Sequence, residues 1–156
     1  RILQDKNDNL WVGTDDGIYI YNPRREEFKR FEQTTADHVS MDGVVSDILL
    51  DNDGDMWISV EEKGVFCYNF RADTLTYYPI PQTPGGMRMI SLCLGRDGHI
   101  WAFPYNLPFI RIDKKTGEVS EHRLRDDEDL VYNTGEIWKV VADEYNQLLT
   151  ASSTLI

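Results

Sequence analysis

The sequence has little of what most chemistry requires. Two cysteines and three histidines stand in 156 residues. Cys67 and Cys93 are far apart and form no C-x-x-C pair, which argues against a zinc or dithiol redox site. Both read as buried strand residues, with a disulfide between them left open. The histidines are scattered, and neither G-x-S-x-G nor H-E-x-x-H occurs, so no nucleophile or metalloprotease motif is present. Sixteen Lys and Arg stand against 27 Asp and Glu, a net charge of −11 with no basic cluster. Such a field repels phosphate backbones and argues against nucleic acid as a partner. No apolar run approaches the ~20 residues that a spanning helix needs. The chain opens "RILQDKND" without Met and ends "LLTASSTLI" inside an apolar run. Both ends read as cut, so the lack of a leader says nothing about location.

What is present is an ordinary globular composition, 41% hydrophobic and 28% charged, with 12% aromatic residues. The aromatics favour strands over helices. One stretch, "DNDGDMWISVEE" at 51–62, imitates a calcium loop. Asp51, Asp53 and Asp55 fall at positions 1, 3 and 5 of an EF-hand count, and Glu62 falls at position 12. The imitation fails at position 6, where Met56 replaces the obligatory glycine, and its flanks are β-branched and aromatic. Asp and Asn in a hairpin turn bond their own backbone, so the acids are expected to shape a turn and to bind no metal.

An internal repeat explains the pattern. "ILQDKNDNLWVGTDDGIYIYNP" lies over "ILLDNDGDMWISVEEKGVFCYNF", with Asp5 on Asp51, Trp11 on Trp57 and Tyr21 on Tyr68. A third copy puts Gly95 at the Asp position and Trp101 at the Trp position; a fourth puts Asp143 and Leu149 there. The steps between the marker positions are 46, 44 and 48 residues. Each copy runs apolar strand, Asp/Asn/Gly turn, Trp-bearing strand, Gly loop, alternating strand, polar turn and final aromatic or branched strand. Four short strands per ~45 residues is the signature of a β-propeller blade. The expected fold is therefore all-β: a partial β-propeller of about three and a half four-stranded antiparallel blades. Its repeats fall at about 1–43, 44–87, 88–135 and, truncated, 136–156. Trp11, Trp57 and Trp101 share one register and are expected to pack between sheets, whereas Trp138 falls in a first strand.

At "DNLWVGTDDGIYIYNP" the pattern D-x-x-G-x-L-W-I-G-T-x-x-G-L-x-x-Y resembles the two-component regulator propeller repeat. Copy one matches nearly throughout; copy two keeps the Asp, Trp and last Gly; copies three and four keep less. The resemblance implies the extracytoplasmic sensor region of a hybrid two-component system protein of gut Bacteroidetes. It implies a periplasmic position, an oligosaccharide ligand derived from polysaccharide, no cofactor, and a histidine kinase elsewhere in the protein. It also implies a sensor dimer in the full-length protein. A piece of a ring cannot close, so the remaining blades, or a second copy of this chain, are expected as partners.

Propeller ligands usually sit where the second-to-third-strand loops and the inter-blade connections meet, and these are the segments in which the copies differ most. The inner loops are 14–17, 60–64 and 103–108; the connections are 32–43, 81–89 and 125–135. Candidate ligand contacts there are His38, Asp42, Glu61, Lys63, Arg88, Tyr105, Asn106 and Asn133. Tyr105 beside Asn106 suits a sugar, by stacking and by amide bonding to hydroxyls; Tyr105 against a neighbouring blade is the structural alternative. No catalytic residue is assigned. A binding segment is favoured over a polysaccharide lyase or hydrolase, whose carboxylate pair a sequence cannot reveal, and over a bare scaffold.

Overall fold

The computed structural model describes residues 1–80, 90–104 and 108–122, and the strand backbones of 137–142 and 148–152. It is an all-β chain, a partial β-propeller. Blade 1 comprises β1 (Ile2–Gln4), β2 (Leu10–Thr14), β3 (Gly17–Asn22) and β4 (Glu27–Arg30). Blade 2 comprises β5 (Val45–Leu50), β6 (Met56–Val60), β7 (Gly64–Asn69) and β8 (Thr74–Pro79). Blade 3 comprises β9 (Ser91–Leu94), β10 (Ile100–Phe103), β11 (Phe109–Ile112) and β12 (Val119–His122). β13 (Ile137–Ala142) and β14 (Leu148–Ser152) form a two-stranded sheet at the place of a fourth blade. Within each blade consecutive strands pair antiparallel in chain order. Neighbouring blades meet through their first strands, with β5 against β1, β2 and β9, and β9 against β13.

Two apolar seams hold the blades together. Between blades 1 and 2, Trp11 and Ile18 face Ile48, Met56, Ile58, Phe66 and Tyr68. Between blades 2 and 3, Trp57, Val65, Cys67 and Tyr78 face Leu92, Ile100, Ile110 and Ile112. Blades 1 and 2 therefore each give their Trp face to the next blade, and blades 2 and 3 give the opposite face to the previous one. Blade 2 is covered on both sides, which is why every residue of β6 is buried and the alternating pattern disappears there. On blade 1 the second face has no neighbour among the described residues. Ile2 and Phe28 are 71% and 60% exposed, while their blade-2 equivalents Ile48 and Leu75 are 8% and 6% exposed.

The glycine two residues after the first Trp has a packing reason. A Cβ on Gly13 would stand 2.6 Å from Val45 Cγ1, so β5 approaches the blade 1 backbone too closely for any side chain. Trp11 and Trp57 are fully buried, and Trp101 is partly buried. Cys67 and Cys93 are both free thiols and both buried, which resolves the question of their pairing.

Candidate functional site

Because the strands alternate in direction, the turns of every blade divide between two faces. The loops between second and third strands and the inter-blade connections share one face. The Asp turns between first and second strands and the outer hairpins share the other.

On the first face, four of the eight predicted contacts are described; Arg88, Tyr105, Asn106 and Asn133 lie outside the described residues. Asp42 and Lys63 are brought together through Ser40. The Lys63 ammonium donates to Ser40 O (2.9 Å), and Ser40 Oγ donates to Asp42 Oδ2 (2.7 Å). Arg30, which the sequence reading did not select, then bridges Asp42 Oδ1 (3.0 Å) to Asp16 Oδ1 (3.2 Å) and to the Asp16 carbonyl. The result is a continuous polar ladder across the seam of blades 1 and 2: Lys63, Ser40, Asp42, Arg30, Asp16. Asp16 and Asp42 expose most of their carboxylates, so the ladder presents acceptors to solvent while its cations hold it rigid. The Ser40 hydroxyl keeps the Asp42 carboxyl below the usual range, with the Arg30 and Lys63 charges adding to the effect. Glu61 joins a different group, accepting from Ser46 Oγ at 3.2 Å. His38 stands at the exposed tip of the 35–39 turn in a left-handed conformation (φ 60°), and no hydrogen bond ties its ring to the ladder among the described residues.

On the second face the repeated Asp has a definite function. Asp5 Oδ1 accepts the amides of Asn7 and Asn9, and Oδ2 accepts Trp11 Nε1–H at 2.9 Å. Asp51 repeats this with Asp53, Asp55 and Trp57 Nε1–H, again at 2.9 Å. One carboxylate thus shapes the turn and satisfies the indole six residues later, which is the physical meaning of the Asp-to-Trp spacing. Burial works to raise both carboxyls, but the indole, the turn amides and, at Asp51, Lys114 hold them below the usual range.

The calcium-like loop already holds a cation. Lys114, from the β11–β12 hairpin of blade 3, reaches Asp51 Oδ2 and Asp55 Oδ2 at 2.7 Å and Asp53 Oδ2 at 2.9 Å. An EF-hand count sees three carboxylates converging; what they converge on is an ammonium from the next blade. Burial would lower the Lys114 pKa, yet the three carboxylates raise it overall.

A second buried carboxylate was not anticipated. Asp47, 4% exposed, accepts the Leu92 amide at 3.0 Å and lies 3.4 Å from Ser91 Oγ, both in blade 3. Arg1 Nε of blade 1 lies 3.3 Å from its other oxygen. Ser59 Oγ accepts the Asp47 amide and donates to Ile90 O at 2.7 Å, completing the tie. Cross-strand register makes Arg1, Asp47 and Ser91 the same repeat position, ten residues before each Trp. The available signal was an acid inside the apolar run "VVSDILL".

Comparison with known proteins agrees with this architecture. Residues 1–16 and 40–62 match the two-component regulator propeller. The fold is similar to the extracellular domain of a protein described as a hybrid two-component system of Bacteroides thetaiotaomicron. Identity is 21% and the TM-score 0.73, over 97% of this chain and 21% of that one. A second such domain from the same organism gives 17% and 0.72, over 97% and 21%. An auxiliary nutrient binding protein of Bacteroides ovatus gives 15% and 0.63, over 94% and 34%. The chain spans about a fifth of the length of the extracellular domains it resembles. No curated protein matches.

Proposed function

We propose that this chain, which carries two-component regulator propeller repeats at 1–16 and 40–62, is a ligand-sensing segment of an extracytoplasmic sensor. Its ligand is an oligosaccharide derived from polysaccharide, and its signal passes to a histidine kinase carried elsewhere in the protein. In this reading the protein works in the periplasm as part of an inner-membrane sensor that acts as a dimer. The partners for the open face of blade 1 are further blades or a second copy.

The observation that carries this reading is the ladder from Lys63 to Asp16. A sugar offers hydroxyls that both donate and accept, and it is held best by polar groups already fixed in place. Arg30 fixes both exposed carboxylates, so they do not have to be ordered when a ligand arrives. The family match at 40–62 includes Asp42 and Glu61. The segment binds and does not turn its ligand over.

Calorimetry with a panel of plant and host oligosaccharides, with product analysis of the same mixtures, tests the reading. Arg30→Ala is expected to weaken the best ligand roughly tenfold, the worth of one charge-assisted contact. Cleavage of the ligand, or an affinity indifferent to both Arg30→Ala and Asp42→Asn, would sink it.

A further inference from the structure

On the face opposite the ladder, a cleft of about 550 Å³ opens between the Asp turn of blade 1 and the outer hairpin of blade 2. Leu50 and Phe70 supply its apolar lining, and Lys6 and Arg71 stand beside them. The Phe70 ring is fixed edge-on by Trp11 (centroids 5.4 Å apart, planes at 86°) and by Tyr68 (4.9 Å, 64°). Lys6 crosses the seam: its ammonium lies where a Cβ on Gly54 would fall within 2.6 Å. Gly54 itself has φ +83°, so the turn is one that leaves this position bare.

The charges at this cleft are unevenly committed. Asp5 is taken by Trp11, Asn9 and two amides, and Asp53 and Asp55 are taken by Lys114. Asp55 also accepts Asn69 Nδ2 at 2.8 Å. Lys6 and Arg71 have no side-chain hydrogen bond or ion pair among the described residues. Asp5 and Asp55 are occupied by internal partners, and Asp53 is paired with Lys114 but stays exposed. Of the three cations lining the cleft, Lys6 and Arg71 are the two without an internal partner among the described residues. A rigid aromatic ring beside two uncommitted cations suits a ligand with an apolar face and an anionic substituent.

We propose that this cleft is a binding site for an acidic oligosaccharide, with the sugar ring on Phe70 and its carboxylate or sulfate group between Lys6 and Arg71. The proposal rests on the reading of the chain as glycan-binding and names the ligand class. The net charge of −11 repels an approaching anion at long range, so affinity comes from contact. Binding should therefore depend on these two side chains more than on any general basicity.

The test is calorimetry of the chain with trigalacturonate, its fully methyl-esterified form, and a sulfated trisaccharide of similar size. Saturable binding of at least one charged probe is expected, weakened tenfold or more by Lys6→Ala with Arg71→Ala. Both side chains are exposed, so the double variant should keep the parent's denaturation midpoint. Preference for trigalacturonate or for the sulfated probe identifies the anionic group. No binding of either charged probe overturns the proposal, as does binding that the double substitution leaves unchanged. Binding of the esterified probe as tightly as the charged ones also overturns it. Loss of binding through Arg30→Ala alone would leave the glycan-sensing reading intact and remove this cleft from it.

Discussion

Replacing Gly95 with Asp should stabilise the chain, and the first two blades supply the magnitude. The Asp turn is the same in all three. The amide of its first residue donates to the carbonyl four residues on: Asp5 to Asn9, Asp51 to Asp55, Gly95 to His99. The fourth residue is left-handed in each, Asp8 at 67°, Gly54 at 83° and Gly98 at 82°. Gly95 is not among the left-handed residues, so the backbone there does not oppose a side chain. What blade 3 lacks is the carboxylate, and Trp101 Nε1 is consequently buried without a hydrogen-bond partner among the described residues. A hydrogen bond to a charged acceptor contributes about 1.5–3 kcal/mol. Removing a glycine's freedom from the unfolded chain adds about 0.4–1 kcal/mol. Against this stand the desolvation of a new carboxylate and a competitor, since Asp97 Oδ1 already accepts the His99 amide at 3.1 Å. The expected net gain is about 1–2 kcal/mol, or roughly 3–6 °C in Tm for a chain of this size. Guanidinium titration followed by indole fluorescence would compare the parent, Gly95→Asp and Gly95→Ala. Alanine reports the backbone contribution alone, so the difference between the two variants isolates the carboxylate. If Asp is no more stable than Ala, the account of the Asp-to-Trp spacing is wrong.

Trp57→Ala should cost on the order of 3–5 kcal/mol, because the indole is fully buried with its ring 5.1 Å from that of Tyr78; a loss below 1 kcal/mol in the same titration would refute the packing. Lys114→Met should cost about 2–3 kcal/mol, since Asp51 and Asp55 are buried and have no other cation among the described residues, although Lys114 itself is partly solvated; a neutral effect would mean that the latch contributes nothing. Asp5 and Asp51 are held below the ordinary carboxyl range when folded, so the stability they contribute is present above about pH 4 and is lost as pH falls through their folded values. Asp51→Asn should flatten the acid limb of stability against pH, and an unchanged limb would exclude Asp51 as a contributor. Burial pushes the Cys67 thiol up to about 12, so a thiol reagent at pH 8 should find neither Cys67 nor Cys93 until the chain is unfolded; rapid native labelling would contradict their burial.

The blades were legible because each repeat writes its own strands and turns locally. Asp5 and Asp51, the Trp register and the failure of the calcium count all follow from laying one copy over another. Contacts between blades were not legible. Lys114 meets Asp51 across 63 residues of chain, and Asp47 meets Leu92 across 45. Nothing local in "DKKTG" says where its lysine goes. Arg30 was not legible because it closes the ladder from inside a strand, where an arginine gives no local sign of the loop acids it meets. The cleft at Phe70 was not legible because it is built from turns of different blades that are far apart in sequence.

The outer hairpins carry one more consequence. In each, an Asn or Asp accepts the amides two and three residues on: Asn22, Asn69 and Asp113. The residue immediately after is Pro23, Phe70 or Lys114. Phe70 rests on Trp11 of blade 1, and Lys114 enters the acidic turn of blade 2. Repeats this alike can dock in the wrong order during folding, a hazard common to tandem architectures. Exchanging the two would set a phenyl ring against three carboxylates and an ammonium among aromatic rings, without the three-carboxylate turn that Lys114 meets. A single position in the hairpin turn, outside the strand ladder, thus works as a label of neighbourhood. It penalises misassembly and leaves the blade itself unchanged.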